Sequence, residues 1–233
     1  VSFDENSDVI FSRTSFSSTP WNEKLPTENG IVYMGKVAMA VEAGTEPREL
    51  TFRNGTLSIA HDFMDSYTYE KIRTINMPNT IQRIGNHSFY APYRGGSNIE
   101  FIRFSDNLEE IGSEAFAYNK RVESLNIPNS VKEVGYRAFA NMEKLTTVKN
   151  YNAHTSGEEV NFSISKIYCV VYVPKNLVDS YKVADGWKEF DNIMEIPEIV
   201  PVTKSLEVSF SESIGDEGDL SNKVIENTYY NMN

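Results

Sequence analysis

The feature that most limits how this chain can fold is a phrase it repeats three times. "IQRIGNHSF" occupies residues 81–89, "LEEIGSEAF" residues 108–116 and "VKEVGYRAF" residues 131–139. The shared anchor is [IV]-G-x-x-[AS]-F, seen as Ile84-Gly85-Ser88-Phe89, Ile111-Gly112-Ala115-Phe116 and Val134-Gly135-Ala138-Phe139. A second phrase precedes each anchor in constant register: Ile72, Ile75 and Met77-Pro78; Ile99, Ile102 and Phe104; Val122, Leu125 and Ile127-Pro128. The step from Ile84 to Ile111 is 27 residues and that from Ile111 to Val134 is 23, the longer one holding the loop-like "APYRGGSN" at 91–98. Such self-similarity describes a stack of equivalent units, none of which can bury its apolar face alone.

The physics of one unit can be read from its residues. L-x-x-L-x-L is a short strand whose alternate apolar side chains point inward while their neighbours face solvent. Pro78 and Pro128 lack an amide donor and end that strand. The run before the glycine carries apolar residues back across the core. Gly then permits a backbone conformation, or a close approach, that a side chain would obstruct. Ala or Ser leaves room, and Phe fills it, so stacked units should form a column with Met64, Phe89, Phe116 and Phe139 as rungs. "LTFRNGTLSIAHDFM" at 50–64 reads as a degenerate first copy. Leu145 and Val148 open another unit, but the anchor phrase does not return. A period near 23 with these strand positions predicts a leucine-rich-repeat solenoid. The expectation is an α/β-type repeat of short strands, turns and short helical segments, with about four to five repeats of roughly 23–27 residues plus caps.

"LNIPNSVKEVGYRAFANMEKL" at 125–145 resembles the BspA-like leucine-rich repeat. "VYVPKNLVDSYKVADGWKEFDNIMEI" at 171–196 looks like the terminal unit of such proteins, and "ENGIVYMGKVAMAVE" at 28–42 is similar to the segment that often precedes their first repeat. The resemblance covers roughly residues 28–196. It implies a right-handed solenoid used for adhesion or interaction at a bacterial cell surface, outer-membrane-associated in a Gram-negative anaerobe, and it implies no catalytic activity.

Four segments follow from these patterns. Residues 1–49 form an N-terminal cap or divergent repeat, with Phe11, Phe16, Trp21 and Tyr33 available to cover the first unit. Residues 50–160 are the repeats, and 161–196 a C-terminal capping unit with a short helix. In that cap Asn176 and Asp179 read as a helix start akin to a capping box, Val178, Tyr181 and Trp187 as its apolar side, and Gly186 as its stop. Phe190, Ile193 and Ile196 would close over a final strand at 168–173, in which Cys169 is a small buried residue and not a reactive thiol. Residues 197–233 are a linker and a strand-like tail, "SLEVSF" at 205–210, read as the start of a following domain or an added strand.

Composition narrows the functional classes. The net charge of −11, with no basic block to interrupt it, argues against nucleic acid as a partner. One cysteine excludes a disulfide framework within the chain and a Cys-rich zinc site. No apolar run is long enough to cross a bilayer as a helix, and a chain opening on Val1 reads as processed or trimmed. His61, His87 and His154 are scattered without partners at metal or triad spacing, and no phosphate-binding glycine loop is present. Asp216, Glu217 and Asp219 read as a solvated loop, Glu109-Glu110 and Glu158-Glu159 as surface charge. The expectation is a non-enzyme with no cofactor and no metal site.

Binding, on this reading, belongs to the outward strand positions. In register these are Arg73, Thr74 and Asn76; Glu100, Phe101 and Arg103; Glu123, Ser124 and Asn126; and Thr146, Thr147 and Lys149. Phe101 with Arg103 stands out, because aromatic residues and Arg are enriched among binding hot spots. The expected function is a monomeric adhesion or interaction module whose partner is a host or microbial protein or a glycan. The alternative is a structural spacer that presents a following domain and has no ligand of its own.

Overall fold

The computed structural model describes Ser12, residues 25–45, 47–64, 70–92, 96–152, Phe162 and 168–198. Two compact units divide the chain, Val1–Ile196 and Pro197–Asn233, and the first is the solenoid. The tail strand expected at 205–210, the acidic cluster at 216–219, Phe11, Phe16, Trp21, His154 and Glu158-Glu159 lie outside the described residues.

Three strands precede the repeats: β1 (Thr27–Glu28), β2 (Ile31–Met34) and β3 (Val37–Val41), each antiparallel to the next. Asn29 and Gly30 both have positive φ, 52° and 73°, the backbone that a two-residue hairpin turn requires. Tyr33 is fully buried against the first unit, where its hydroxyl accepts the Arg53 amide at 3.1 Å and its ring lies under the Arg53 guanidinium, 4.1 Å away.

From β4 onward two kinds of strand alternate. The L-x-x-L-x-L phrases form β4 (Glu49–Thr51), β6 (Thr74–Asn76), β8 (Phe101–Arg103), β10 (Ser124–Ile127), β12 (Thr147–Asn150) and β13 (Val170–Val173), and β14 (Asn192–Glu195) continues their order. The residues before each anchor glycine form β5 (Ser58–Ile59), β7 (Arg83–Ile84), β9 (Glu110–Ile111) and β11 (Glu133–Val134), a parallel ladder that begins on β3. The central residues of the first ladder are Leu50, Ile75, Ile102, Leu125, Val148, Val171 and Ile193, in steps of 25, 27, 23, 23, 23 and 22 residues. The stack is therefore longer than the four to five repeats expected. It continues through the segment assigned to the C-terminal cap.

The phenylalanine column is real and also longer than expected. Phe89 and Phe116 stack with centroids 5.0 Å apart, Phe116 and Phe139 at 5.9 Å, and Phe139 and Phe162 at 5.6 Å, all within 15° of coplanar. Phe162 is thus a rung supplied without the anchor phrase. At the other end the Met64 amide donates to the Ser88 carbonyl at 3.0 Å, matching the bond from Phe89 to Ala115 one unit on. The ring that meets Phe89, however, belongs to Phe63, 5.7 Å away. Backbone register and ring position differ by one residue in this first copy.

The anchor glycines serve close approach and not a special bend. A Cβ at Gly85, Gly112 or Gly135 would lie 2.6, 2.6 or 2.4 Å from a backbone amide nitrogen of the preceding unit, which no real contact allows. The left-handed residues stand two positions later: Asp62, His87, Glu114 and Arg137, with φ between 51° and 54°. Where Ser88 replaces the small Ala of the anchor it is fully buried, and its hydroxyl donates within reach of both the Ala60 and Gly85 carbonyls.

The cap departs from expectation at its helix start. The helix α1 (Val178–Val183) is preceded by Leu177, and no side chain caps it. Asn176 instead adopts a positive φ of 68°. Tyr181 is buried and donates its hydroxyl to the Asn152 carbonyl at 2.8 Å. Trp187 and Phe190 pack on Phe162 at 5.5 and 5.3 Å and close the column. The last repeat strand spans Val170–Val173, so Tyr168 and Cys169 precede it; Cys169 is buried, and burial pushes its thiol up to about 11.

Candidate interaction surface

Parallel pairing puts every second residue of the first ladder on its outward face, in two continuous rows. One row runs Glu49, Thr74, Phe101, and then Ser124, Thr147, Val170, Asn192. The other runs Thr51, Asn76, Arg103, and then Asn126, Lys149, Tyr172, Met194. Arg73, Glu100, Glu123 and Thr146 stand one position before their strands. Sequence reasoning placed its residues on these rows but ended at Lys149. Val170, Tyr172 and the 52%-exposed Met194 were missed because their strands had been assigned to the cap. The alternation of "VVYV" and "NIME" carried the signal.

The face is mostly polar and partly self-engaged. Arg73 pairs with Glu100 at 2.5 Å, and the Asn76 amide donates to the Glu49 carboxylate. Thr146 donates its hydroxyl to the Glu123 carbonyl at 3.2 Å. Thr74, Asn76, Thr147 and Lys149 are half-buried, while Ser124 and Asn126 are exposed. Phe101 is 64% exposed, an unusual position for a ring with this much apolar area. Arg103 is exposed beside it on the same strand.

A discontinuity falls at this point. The first ladder is hydrogen-bonded from β4 through β8 and again from β10 through β14, but no backbone hydrogen bond among the described residues joins β8 to β10. Ile102 is the one central strand residue of the ladder that stays half-buried; the others are buried. The break comes where the repeat step shortens from 27 to 23 residues. The second ladder runs unbroken past it, from β9 to β11.

Elsewhere the surface offers little converging chemistry. His87 is half-exposed between Asp62 at 3.6 Å and Glu114 at 4.0 Å, and the His61 ring nitrogen accepts the Asn86 amide at 2.6 Å. Arg48, Glu70, Lys71 and Arg73 line a shallow polar hollow beside β4 and β6. Among the described residues no three His, Cys, Asp or Glu side chains gather as metal ligands would, and no helix is long and apolar enough to cross a membrane.

Comparison with known families decides what this solenoid is. Residues 63–182 match the BspA-type leucine-rich-repeat region in six copies. The chain belongs to the BspA-type leucine-rich-repeat family. Among solved structures it is similar to the pneumococcal vaccine antigen PcpA, with a TM-score of 0.58 at 16% identity, covering 76% of this chain and 49% of that one. A leucine-rich cell surface protein of Faecalibacterium prausnitzii aligns with a TM-score of 0.48 at 17% identity, over 76% of this chain and 40% of that one. This chain thus spans about half or less of the solved proteins it matches. No curated protein matches the sequence. A BspA-type match and a shared fold place the chain among repeat proteins that are typically non-enzymatic.

Proposed function

We propose that this BspA-type chain is a non-enzymatic interaction module of a bacterial cell-surface protein, which binds a protein or glycan partner through the outward face of its first ladder. The observation that carries this reading is Phe101, 64% exposed at the ladder break and flanked by Arg103 on a flat, regularly spaced sheet. An exposed Phe contributes nothing to the fold there, whereas Phe and Arg side by side suit a contact centre. Family membership and the likeness to a vaccine antigen, a protein the immune system meets, support the surface location.

The test is a binding screen of the chain against extracellular-matrix proteins and glycans, run beside a Phe101→Ala, Arg103→Ala double variant. At least a tenfold loss of affinity in a variant with an unchanged circular-dichroism spectrum is expected. Equal affinity in the folded variant removes the face from the proposal. No binding by either protein points to a spacer that presents a following domain.

A further inference from the structure

Charge on the outward face runs against charge on the whole chain. The protein carries −11 overall. Yet from β6 through β13 neither outward row contains a carboxylate: the residues are Thr, Asn, Phe, Arg, Ser, Lys, Val and Tyr. Arg103 and Lys149 stand in the same row with Asn126 between them, and neither side chain has an ion-pair partner among the described residues. One strand separates theirs, so their backbones are roughly 10 Å apart at the usual spacing between strands. Arg73, by contrast, is already neutralised by Glu100.

From this strip we infer that the partner presents a short acidic segment of polypeptide, with carboxylates meeting Arg103 and Lys149 and an apolar side chain seated on Phe101. The inference rests on the proposed use of this face and adds the chemistry of what binds there. Three features select a peptide over an anionic polysaccharide. Two unpaired cations match two carboxylates, whereas a polyanion needs a dense cationic cluster to displace its counterions. The net charge of −11 repels a long polyanion but scarcely a short segment held within screening distance. Phe101, with the half-buried Val170 and Tyr172 further along the strip, offers apolar contact that a sulfated chain would leave unused. Glu123, at the upstream border of the strip, directs the acidic groups towards Asn126 and Lys149.

The experiment uses the whole chain and an array of synthetic peptides that place two Asp or Glu residues around one aromatic or aliphatic residue at varied spacing. The same peptides with Asn and Gln, together with heparin, are the comparison probes. Some acidic peptides are expected to bind at least tenfold more tightly than their amide forms. That preference should be lost in an Arg103→Glu, Lys149→Glu variant and should weaken as salt rises. Equal binding of acidic and amide peptides overturns the inference, and heparin binding that outcompetes the peptides replaces it with an anionic glycan. If amide peptides bind in a Phe101-dependent manner, the face reading survives without its acidic partner. If no probe binds in a Phe101-dependent manner, both fail.

Discussion

Gly135 has room for a hydrogen and for nothing larger, because the amide of Ser113 would stand 2.4 Å from an added Cβ. The obstructing atoms are backbone atoms of a neighbouring turn, and those cannot rotate aside as a side chain could. Gly135→Ala should therefore force adjacent turns apart and destabilise the chain by about 1–3 kcal/mol, as overpacking of a tight core does. A fall in the urea midpoint at unchanged slope would confirm it; an unshifted midpoint would show that the ladder yields. Cys169 gives the second prediction at this scale. With its thiol pushed up to about 11, only about a thousandth is thiolate at pH 8, and the side chain is buried. Iodoacetamide should leave native Cys169 unmodified and label it only after denaturation, as mass spectrometry can show.

At the scale of elements, what could be read in advance depended on whether a signal repeats. The inward strand positions and the Phe rungs recur at fixed offsets, so three clear copies defined the unit, and both ladders follow that register. Phe162 was illegible because it fills its rung without the glycine phrase, and Phe63 because its ring takes the place its neighbour's register would assign. The start of α1 was misread for a different reason: Asn176 and Asp179 fit a capping pattern, but Asn176 takes a left-handed turn and the helix begins beyond it. On the face, the alternation rule located Phe101 and Arg103, while the break between β8 and β10 depends on hydrogen-bond geometry that no single residue encodes. The cap also yields a pH prediction. Burial raises the Tyr181 phenol from 10.0 to about 12, so the folded state holds that proton more tightly than the unfolded chain. Its contribution is complete below pH 10 and is lost as pH rises through 12, a fall of about 3 kcal/mol at 1.4 kcal/mol per pH unit. Stability measured by urea unfolding from pH 9 to 12 should drop, and Tyr181→Phe should flatten the drop. It will not abolish it, because burial also raises Tyr33 and Tyr90.

At the scale of the solenoid, each turn gains its core from its neighbours, and stability is close to a sum of turn and interface terms. Substitutions should therefore separate sharply by the side of the strand they occupy. Phe116 lies between two stacked rings with Phe104 on its edge, and Phe116→Ala should cost about 3–5 kcal/mol because the rungs above and below cannot collapse into the gap. Phe101 carries the same ring one strand away with its face to solvent, and Phe101→Ala should change stability by no more than about 0.5 kcal/mol. Ends follow the same logic. A chain ending at Asn152 loses Phe162, Tyr181, Trp187 and Phe190, so Phe139 and the open edge of β12 become the terminus of the stack. An uncovered apolar column beside an unpaired strand is a template for association. Size-exclusion chromatography of the shortened chain should show aggregates or higher oligomers, whereas the Phe101→Ala chain should elute as the parent does. A shortened chain that remained monomeric, with the parent's unfolding slope, would mean that the fifth turn closes itself and that the aromatic cap is dispensable.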